Sequence, residues 1–583
     1  MTDDDGTEAT ARPISAADAR PWLSFYGDVP PTLSYPSGSL HDVIAASIRR
    51  HADKVAFDFL GTKVTYGAFG AAIDRAAAGL AGLGMREGDS LLVSMPTSPH
   101  GIAMFYAALK LGGTATMIHP LSTPAEIAFY LKDSGSRFAV TLDAFYGKFA
   151  EAREGTPLQS LILARIPDYL GRLKRIGFWL KLGRKIPKVP ADAPVVWWSQ
   201  MMRREPAAPV PPVPVPDDAL AVVLYSGGTT GHPKGVMLSH RNVIAEGLGV
   251  VAWGNVTERD TVLAALPIFH GFGLGALVNA PLMIGASVTL VPVFTPKAVA
   301  DAIRRTRPTI LAGVPTLFEA LTRNKVLRRA DLSGVRAAFS GGDTLPPPVK
   351  TQFEVFVAER GGRVKLLEGY GLTEAVTAVI ATPMGHYREG SIGIPLPDIL
   401  AKICTPETDE ELSPGETGEI CLSGPATMIG YLNDAAATDE VLRRHRDGRI
   451  WLRTGDLGHM DPDGFFHFTS RRKQLIKSSG FSVYPRQVEE VLYQHPAVRE
   501  VSVIGVPDER QGERVKAVVA MAPGIEASEA LKEELIGFCR ERLIKWSCPR
   551  EIAFLPELPK TRVGKIDLAA MRRMATEGPA QAS

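Results

Sequence analysis

The chain has 583 residues and a formal net charge of +2, with 45% apolar and 22% charged residues. This length exceeds what one hydrophobic core usually serves, so we expect two or more domains in a globular protein. The nearly balanced charge argues against nucleic acid as a partner. Four scattered cysteines without a C-x-x-C pair argue against zinc and redox motifs, and they favour a reduced, cytoplasmic setting.

The beginning of the chain predicts a polar tail over residues 1–35. Its first string, MTDDDGTEATARP, is acidic and has neither the basic start nor the apolar stretch of a signal peptide. From residue 36 to about 150, helix-like apolar runs such as AAIDRAAAGLAGLGM alternate with strand-like runs such as SLLVSMP. This alternation predicts a parallel sheet flanked by helices.

The amino-acid composition changes over residues 155–215, and this change indicates an insert. The string LGRLKRIGFWLKLGRK is strongly basic, and PAAPVPPVPVP is a proline-rich spacer. Apolar residues recur at near-helical spacing among the cations, with Phe178 and Trp179 beside them. A basic amphipathic helix of this kind predicts peripheral membrane contact, here through residues 168–188. An ordinary surface helix that packs its apolar stripe on the domain is the equal alternative, because three glycines weaken a free helix.

A glycine-rich segment follows the apolar run ALAVVL. It reads YSGGTTGHPKGVMLSH over residues 225–240. Uncovered backbone N–H groups, hydroxyls and one lysine together suit phosphate oxygens. The segment is not a Walker A loop, and a flexible Gly/Thr turn is the alternative that composition alone leaves open.

The stretch Thr261–Pro296 carries no acidic or basic side chain apart from one histidine, and it is long enough to span a bilayer. Pro267, Pro281 and several glycines interrupt it, so we expect buried strands and a helix of an α/β core instead. The string that starts at Gly271 matches G-x-G-x-x-A, but the first acid downstream is Asp301. That is too far away for a dinucleotide fold, so core-packing glycines are the better interpretation.

The rest of the chain completes an α/β prediction. Alternating patterning resumes over residues 221–400, and short strands punctuated by Gly and Pro predict a barrel-like subdomain to about residue 468. After residue 470, strands such as VKAVVAM and helices such as EALKEELIGFCRERL predict a small α+β domain. We therefore expect a large N-terminal domain at 36–469, made of helix-flanked sheets and the barrel-like part, and a C-terminal domain at 470–575.

Eight strings in order resemble the adenylate-forming superfamily, which includes acyl-CoA synthetases, peptide-synthetase adenylation domains and firefly-type luciferases. Besides the glycine-rich segment they are LPIFHGFGL (266–274), SGGDTLP (340–346), GYGLTE (369–374), GETGEICLSGP (415–425), WLRTGDLG (451–458), SRRKQLIKSSGFSVYPRQVEE (470–490) and PKTRVGKI (559–566). The resemblance covers residues 40–575. It implies activation of a carboxylic acid as an acyl-adenylate and transfer of the acyl group to a thiol.

The resemblance implies a catalytic role for Lys565, which would bridge the acyl carboxylate and the α-phosphate. A cation suits that place because negative charge builds up at phosphorus in an in-line transition state. His270 would lie at the acyl-carboxylate end of the pocket, although a lone histidine in an apolar run is often a core residue. The residues implied for ATP phosphates are Ser226, Gly227, Gly228, Thr229, Thr230 and Lys234, and Thr229 is counted among the catalytic residues with Lys565, His270 and Glu374.

The resemblance also implies a nucleoside site and a magnesium ligand. Tyr370 of the Tyr370-Gly371 pair would stack on adenine, and Thr373 would contact phosphate. Glu374 would hold Mg²⁺, since a carboxylate with phosphate oxygens is a usual environment for that ion. The residues implied for the other side of the base and for the ribose are Gly341, Gly342, Asp343, Asp456 and Arg471. A helix-terminal charge for Glu374 and a turn residue for Asp456 are the structural alternatives.

A mobile C-terminal domain is also implied. Lys473 occupies the hinge position of the family, and rotation there would replace Lys565 by the stretch around Gly480, where a glycine lets a narrow pantetheine arm pass. Gln474 and Gln487 stand where the family commonly has acids, which puts details of the hinge in doubt.

The inserted segment resembles bacterial medium- and long-chain fatty acid ligases. The implied reaction uses a fatty acid, ATP, Mg²⁺ and coenzyme A, in the cytoplasm or peripherally at the inner membrane surface. Loading of a carrier protein and ligation of an aryl or other acid stay open as alternatives. A scaffold without catalysis and a luciferase-like oxygenase are further alternatives that the intact motifs do not favour.

Overall fold

A computed structural model describes residues 16–203, 210–226, 233–478, 481–508, 511–561 and 564–577. The strands, in chain order, are β1 (Val55–Phe59), β2 (Thr62–Thr65), β3 (Ser90–Ser94), β4 (Thr114–Met117), β5 (Phe138–Leu142), β6 (Ser160–Ala164), β7 (Val195–Trp197), β8 (Leu220–Ser226), β9 (Lys234–Ser239), β10 (Thr261–Ala264), β11 (Ser287–Leu290), β12 (Ile310–Gly313), β13 (Ala337–Gly341), β14 (Leu366–Gly371), β15 (Ala378–Ala381), β16 (Ile394–Pro395), β17 (Leu400–Cys404), β18 (Gly418–Ser423), β19 (Gly430–Tyr431), β20 (Leu442–Arg444), β21 (Ile450–Met460), β22 (Phe466–Arg471), β23 (Ile476–Ser478), β24 (Phe481–Val483), β25 (Val498–Asp508), β26 (Gly512–Met521) and β27 (Glu551–Leu555).

Helices alternate with the strands along the chain. They are α1 (Ala16–Ala19), α2 (Leu40–Arg50), α3 (Tyr66–Gly82), α4 (Pro99–Lys110), α5 (Pro124–Asp133), α6 (Tyr146–Ala152), α7 (Arg172–Lys181), α8 (Trp198–Arg203), α9 (His240–Trp253), α10 (Ala280–Met283), α11 (Pro296–Thr306), α12 (Pro315–Thr322), α13 (Pro347–Ala358), α14 (Ala435–Val441), α15 (Pro485–Tyr493), α16 (Glu529–Arg540) and α17 (Leu568–Glu577). A π-helix, Phe272–Asn279, precedes α10. Within the described ranges, no helix combines the length and the apolar character that a membrane span requires.

Two mixed sheets form the body of the protein. One has nine strands in the order β16-β15-β14-β13-β12-β10-β11-β1-β2, and the other has eight in the order β19-β9-β8-β4-β3-β5-β6-β7. Strands β10 to β14 and β3 to β8 pair in parallel within their sheets. Parallel strands need both faces covered, which explains their nearly uninterrupted apolar sequences. The α/β fold predicted from the sequence is confirmed.

Two smaller sheets complete the chain. A five-stranded antiparallel sheet contains β17, β18, β20, β21 and β22, in the region of the predicted barrel-like part. The C-terminal sheet contains β23 to β27 and has its own apolar core beneath α15 and α16. A single 3-10 turn, Arg472–Gln474, links the two sheets. The chain therefore changes sheets within a few residues of the predicted boundary.

Two segments, residues 1–35 and 155–215, contain more structure than the sequence predicted. Residues 1–35 do not form a tail throughout, because Trp22 is buried in the main core and the Tyr26 hydroxyl donates to the Pro395 carbonyl over 2.7 Å. The segment 155–215, predicted as an insert in the N-terminal domain, contains two strands that were not predicted, β6 and β7 of the eight-stranded sheet. Short apolar runs such as VVW carried too little sequence signal to be recognised as strands.

Candidate active site

One cavity of about 1140 Å³ lies where β8, β13 and β14 end at their carboxyl edges. Ligands of open α/β sheets bind outside these edges. The predicted residues that line this cavity are Ser226, Lys234, His270, Gly341, Gly342, Tyr370, Gly371, Thr373, Glu374, Asp456, Arg471, Lys473 and Lys565. The predicted residues Gly227, Gly228, Thr229, Thr230 and Gly480 lie outside the described residues. Asp343 is adjacent, and its Oδ2 accepts the Ile566 N–H over 3.4 Å.

Lys565 reaches the cavity from the C-terminal segment. An added Cβ at Gly342 would lie 3.2 Å from its Cε and 3.6 Å from its Nζ, so the lysine packs closely against this turn. Gly342 also has a φ of +82°, which favours glycine. Thr316 Oγ1 donates to the Gly564 carbonyl over 3.2 Å and holds the segment in place. Burial, and secondarily the Arg471 cation, lower the pKa of Lys565, while nearby carboxylates oppose them.

Asp456 is fixed by two neighbours. The Tyr370 hydroxyl donates to its Oδ2 over 2.8 Å. Arg471 lies directly across the β21–β22 ladder, with Nε 3.2 Å from Oδ1. Burial raises the pKa of Asp456, and the arginine counteracts that effect. Each oxygen of an ionised carboxylate can accept more than one hydrogen bond, so further donors such as sugar hydroxyls can be accommodated.

Glu374 lies in a 3-10 turn, Thr373–Ala375, directly after β14. Its Oε1 accepts a hydrogen bond of 2.8 Å from the Tyr431 hydroxyl, and its carbonyl accepts the Met428 N–H over 2.8 Å. The Lys234 ammonium lies over the Tyr431 ring, 4.8 Å from its centroid. Tyr431 thus contacts both the carboxylate predicted for the metal and the lysine of the glycine-rich segment.

His270 faces the same cavity as a neutral ring. Burial, with the Lys565 cation as a second cause, lowers its pKa to about 3. The Phe272 N–H donates to its Nδ1 over 3.2 Å, which places the proton on Nε2. At the adjacent Gly271, an added Cβ would lie 1.8 Å from the Val376 carbonyl oxygen, so only glycine fits. The glycines of this string serve close packing, as the sequence analysis expected.

The cavity wall is apolar on one side. All cavity-lining residues between positions 250 and 312 are apolar or glycine except His270. These residues are Val250, Val251, Trp253, Gly254, Val256, Val262, Phe269, Phe272, Ala276, Leu277, Ala280, Pro281, Ile310 and Ala312. His270 is therefore the one titratable side chain in this part of the lining, and the Lys565 cation acts on it.

Two supporting residues were not predicted from the sequence. Glu419 accepts from Arg453 Nη2 over 2.6 Å and from the Gly455 N–H over 2.9 Å, and so shapes the turn that carries Asp456. It falls within the motif GETGEI, which was a usable signal. Tyr431 had no such signal, because its contact with Glu374 spans 57 residues.

A model of the AMP-binding enzyme family matches residues 44–432. The chain belongs to that family. A model of the AMP-binding enzyme C-terminal domain matches residues 487–565, which include Lys565. These matches confirm the resemblance to adenylate-forming enzymes that the ordered motifs indicated.

Relatives of this AMP-binding enzyme extend over nearly its full length. It is 37% identical over 554 residues to a long-chain-fatty-acid–CoA ligase of Bacillus subtilis (strain 168), covering 94% of this chain and 96% of the relative. A ligase of the same name from Escherichia coli O157:H7 is 35% identical over 568 residues, with the same coverage. Among solved structures, the anthranilate CoA ligase AuaEII in complex with anthranoyl-AMP has a TM-score of 0.79 at 26% identity, covering 95% of this chain and 99% of that one.

Proposed function

We propose that this protein is an ATP-dependent fatty acid–CoA ligase for medium- or long-chain acids. It would form an acyl-adenylate and pyrophosphate, and then acyl-CoA and AMP. The observation that carries the proposal is the convergence of Lys565, His270 and Asp456 on one cavity that also has an apolar wall. The names of the two bacterial relatives support a fatty acid as the substrate.

The cavity is large enough for a nucleotide together with an acyl chain. Its volume of about 1140 Å³ exceeds the roughly 300–1,000 Å³ of most small-molecule sites. The uncharged wall between positions 250 and 312 would hold the alkyl chain, and burial of that chain would provide binding free energy in proportion to its length. The carboxylate would then lie near His270, whose Nε2–H can donate to it.

Lys565 would act in the first half-reaction. A carboxylate oxygen attacks the α-phosphorus, and the bond to the pyrophosphate oxygen breaks. The ammonium group would stabilise negative charge shared by the two reactants, in a site where burial strengthens the interaction. Asp456 would orient the ribose, with Arg471 and Tyr370 holding its carboxylate in place.

We propose Glu374 as the protein ligand of Mg²⁺. In the described part of the chain, no group of three or more His, Cys, Asp or Glu side chains could hold a metal ion. A cation beside Glu374 would therefore complete its shell with phosphate oxygens and water, which fits the preference of Mg²⁺ for few protein ligands. The ion would supply charge neutralisation at the phosphates.

The second half-reaction would follow a rotation of the C-terminal domain. We propose the turn Arg472–Gln474 as the hinge, with Lys473 at its centre, because it connects two separate sheets. Rotation would withdraw Lys565 and bring the stretch around Gly480 to the cavity. The thiol of coenzyme A would attack the acyl carbonyl, and AMP would leave.

We further propose that the enzyme works in the cytoplasm and contacts the inner membrane surface through residues 168–188. Its four cysteines are free thiols and all are buried, as suits a reducing compartment. Fatty acids partition into bilayers, so an enzyme that consumes them gains from contact with that surface.

Pyrophosphate release tests the function directly. We expect release with saturated acids from octanoate to oleate-length chains in the presence of coenzyme A, with acyl-CoA as the product, and little release with acetate or benzoate. Holo carrier protein in place of coenzyme A is the comparison. Acyl transfer to the carrier alone, or a preference for aryl acids, would contradict the proposed acceptor or substrate.

A further inference from the structure

The helix α7 presents large apolar side chains to solvent. None of its residues is buried. Leu173, Ile176 and Leu180 are 86%, 59% and 67% exposed, and their i, i+3, i+7 spacing places them on one face. Of the 17 large apolar side chains that are exposed in the described ranges, five lie within residues 173–182. Contiguous exposure of this kind marks an interaction site, whereas single exposed apolar residues do not.

The same segment is strongly cationic. Residues 169–191 contain no acidic side chain. Seven cations are placed along it: Arg172, Lys174, Arg175, Lys181, Arg184, Lys185 and Lys188. An apolar face bordered by cations complements a surface that offers both hydrocarbon and negative charge.

The rest of the protein contacts α7 at its N-terminal end and leaves its apolar face exposed to solvent. Leu170, just before the helix, is buried, and the Lys174 ammonium donates to the Leu60 carbonyl over 2.6 Å. Lys174 lies about 130° around the helix from the centre of the stripe of Leu173, Ile176 and Leu180, given roughly 100° per residue. The anchoring contact therefore orients the helix without covering its apolar residues.

We propose that α7 lies in the interface of an anionic phospholipid bilayer, with Leu173, Ile176 and Leu180 among the acyl chains and the flanking cations at the lipid phosphates. Basic amphipathic helices with exposed leucines and a tryptophan bind such surfaces. A second copy of this chain would fit poorly, because two segments with seven cations each would repel one another. The inference rests on the proposed function only to explain why membrane contact would be useful, and its test does not require enzymatic activity.

Co-sedimentation of the full chain with vesicles tests the proposal. Vesicles of phosphatidylcholine alone are compared with vesicles that also contain about 30 to 40 mol% phosphatidylglycerol, because anionic lipid gives the surface a negative potential. We expect the wild type to bind the anionic vesicles at least ~10-fold more strongly, and binding to weaken as salt increases.

Two variants separate the apolar and electrostatic contributions. Leu173→Ser with Ile176→Ser and Leu180→Ser should reduce binding by ~10-fold or more. Arg172→Gln with Lys181→Gln and Arg184→Gln should remove the preference for anionic lipid. The control, Val355→Ser with Ile450→Ser, changes two apolar residues elsewhere on the surface that are 52% and 49% exposed, and it should bind as wild type does.

Each outcome is informative. Equal sedimentation of the wild type and the three-serine variant would overturn the proposal, and so would concentration-dependent self-association that the three-serine change abolishes. Adenylation of water-soluble octanoate without vesicles should be unchanged in all three variants. Loss of vesicle binding with intact octanoate activity would therefore bear only on the role of the α7 surface. Absence of octanoate activity in the wild type would instead count against the proposed function.

Discussion

The Tyr431 hydroxyl donates a 2.8 Å hydrogen bond to Glu374 Oε1, while its ring lies beneath the Lys234 ammonium at 4.8 Å from the centroid. One side chain therefore contacts both a carboxylate and a cation that line the cavity. Tyr431 belongs to the short strand β19, which pairs with β9 in the second half of the glycine-rich segment.

Tyr431→Phe should weaken the response of adenylation to Mg²⁺. The variant keeps the ring for Lys234 but removes the donor to Glu374, a hydrogen bond to a charged group that contributes about 1.5–3 kcal/mol. We expect the Mg²⁺ concentration at half-maximal pyrophosphate exchange to rise roughly 10-fold. Tyr387→Phe, a change at an exposed tyrosine that does not line the cavity, is the matched control. An unchanged Mg²⁺ requirement would show that Tyr431 does not position Glu374.

Lys565→Ala should separate the two half-reactions. Loss of the cation should lower acid-dependent ATP–pyrophosphate exchange by roughly 100- to 1,000-fold, and thioester formation from synthetic acyl-adenylate should be preserved. Because burial lowers the pKa of this lysine, the exchange rate of the wild type should decline as pH rises, and the decline should begin at a pH below the ordinary pKa of lysine. Lys560→Ala removes a nearby lysine that pairs with Glu500 and should retain exchange. Equal losses in both half-reactions would contradict the assigned role.

Glu246→Gln should change how stability depends on pH. Glu246 is buried on α9, its Oε2 has no hydrogen-bond partner, and burial raises its pKa from 4.5 to about 8. Between these values the unfolded chain loses a proton that the folded chain keeps, so the free energy of unfolding falls as pH rises through that window. Glutamine stays neutral throughout and should flatten this fall.

The measurement is the thermal midpoint at pH 5.5 and pH 8. The midpoint of the wild type should fall more between these values than that of Glu246→Gln, by an amount equivalent to a few kcal/mol at most. Glu368 and Glu489, whose pKa burial raises to about 7, will keep part of the slope in both proteins. The exposed Glu151→Gln variant should follow the wild type, and parallel slopes for all three proteins would refute a buried neutral Glu246.

Ala280→Phe should shorten the preferred acyl chain. Ala280 is buried at the start of α10 and lines the apolar wall of the cavity. A larger side chain would occupy space that a long alkyl chain needs, so kcat/KM for palmitate should fall roughly 10-fold or more relative to that for octanoate. Ala280→Val should produce a smaller shift in the same direction. A uniform loss across all chain lengths would place the alkyl chain elsewhere.

Much of the site was predictable because its residues belong to ordered motifs. His270, Glu374, Asp456 and Lys565 each lie in a string whose residue types suit one chemical task, and the cavity brings all four together. The hydrophobic alternation likewise predicted the α/β fold, since strands buried on both faces require continuous apolar runs.

Contacts between distant segments could not be read from the motifs. The bond from Tyr431 to Glu374, the packing of Trp22 in the main core and the membership of β6 and β7 in a sheet depend on chain segments that meet only after folding. The basic amphipathic pattern of α7 left two interpretations equal. Tertiary packing decided between a covered and an open apolar face, because burial depends on what the rest of the chain places against the helix, and here it places little.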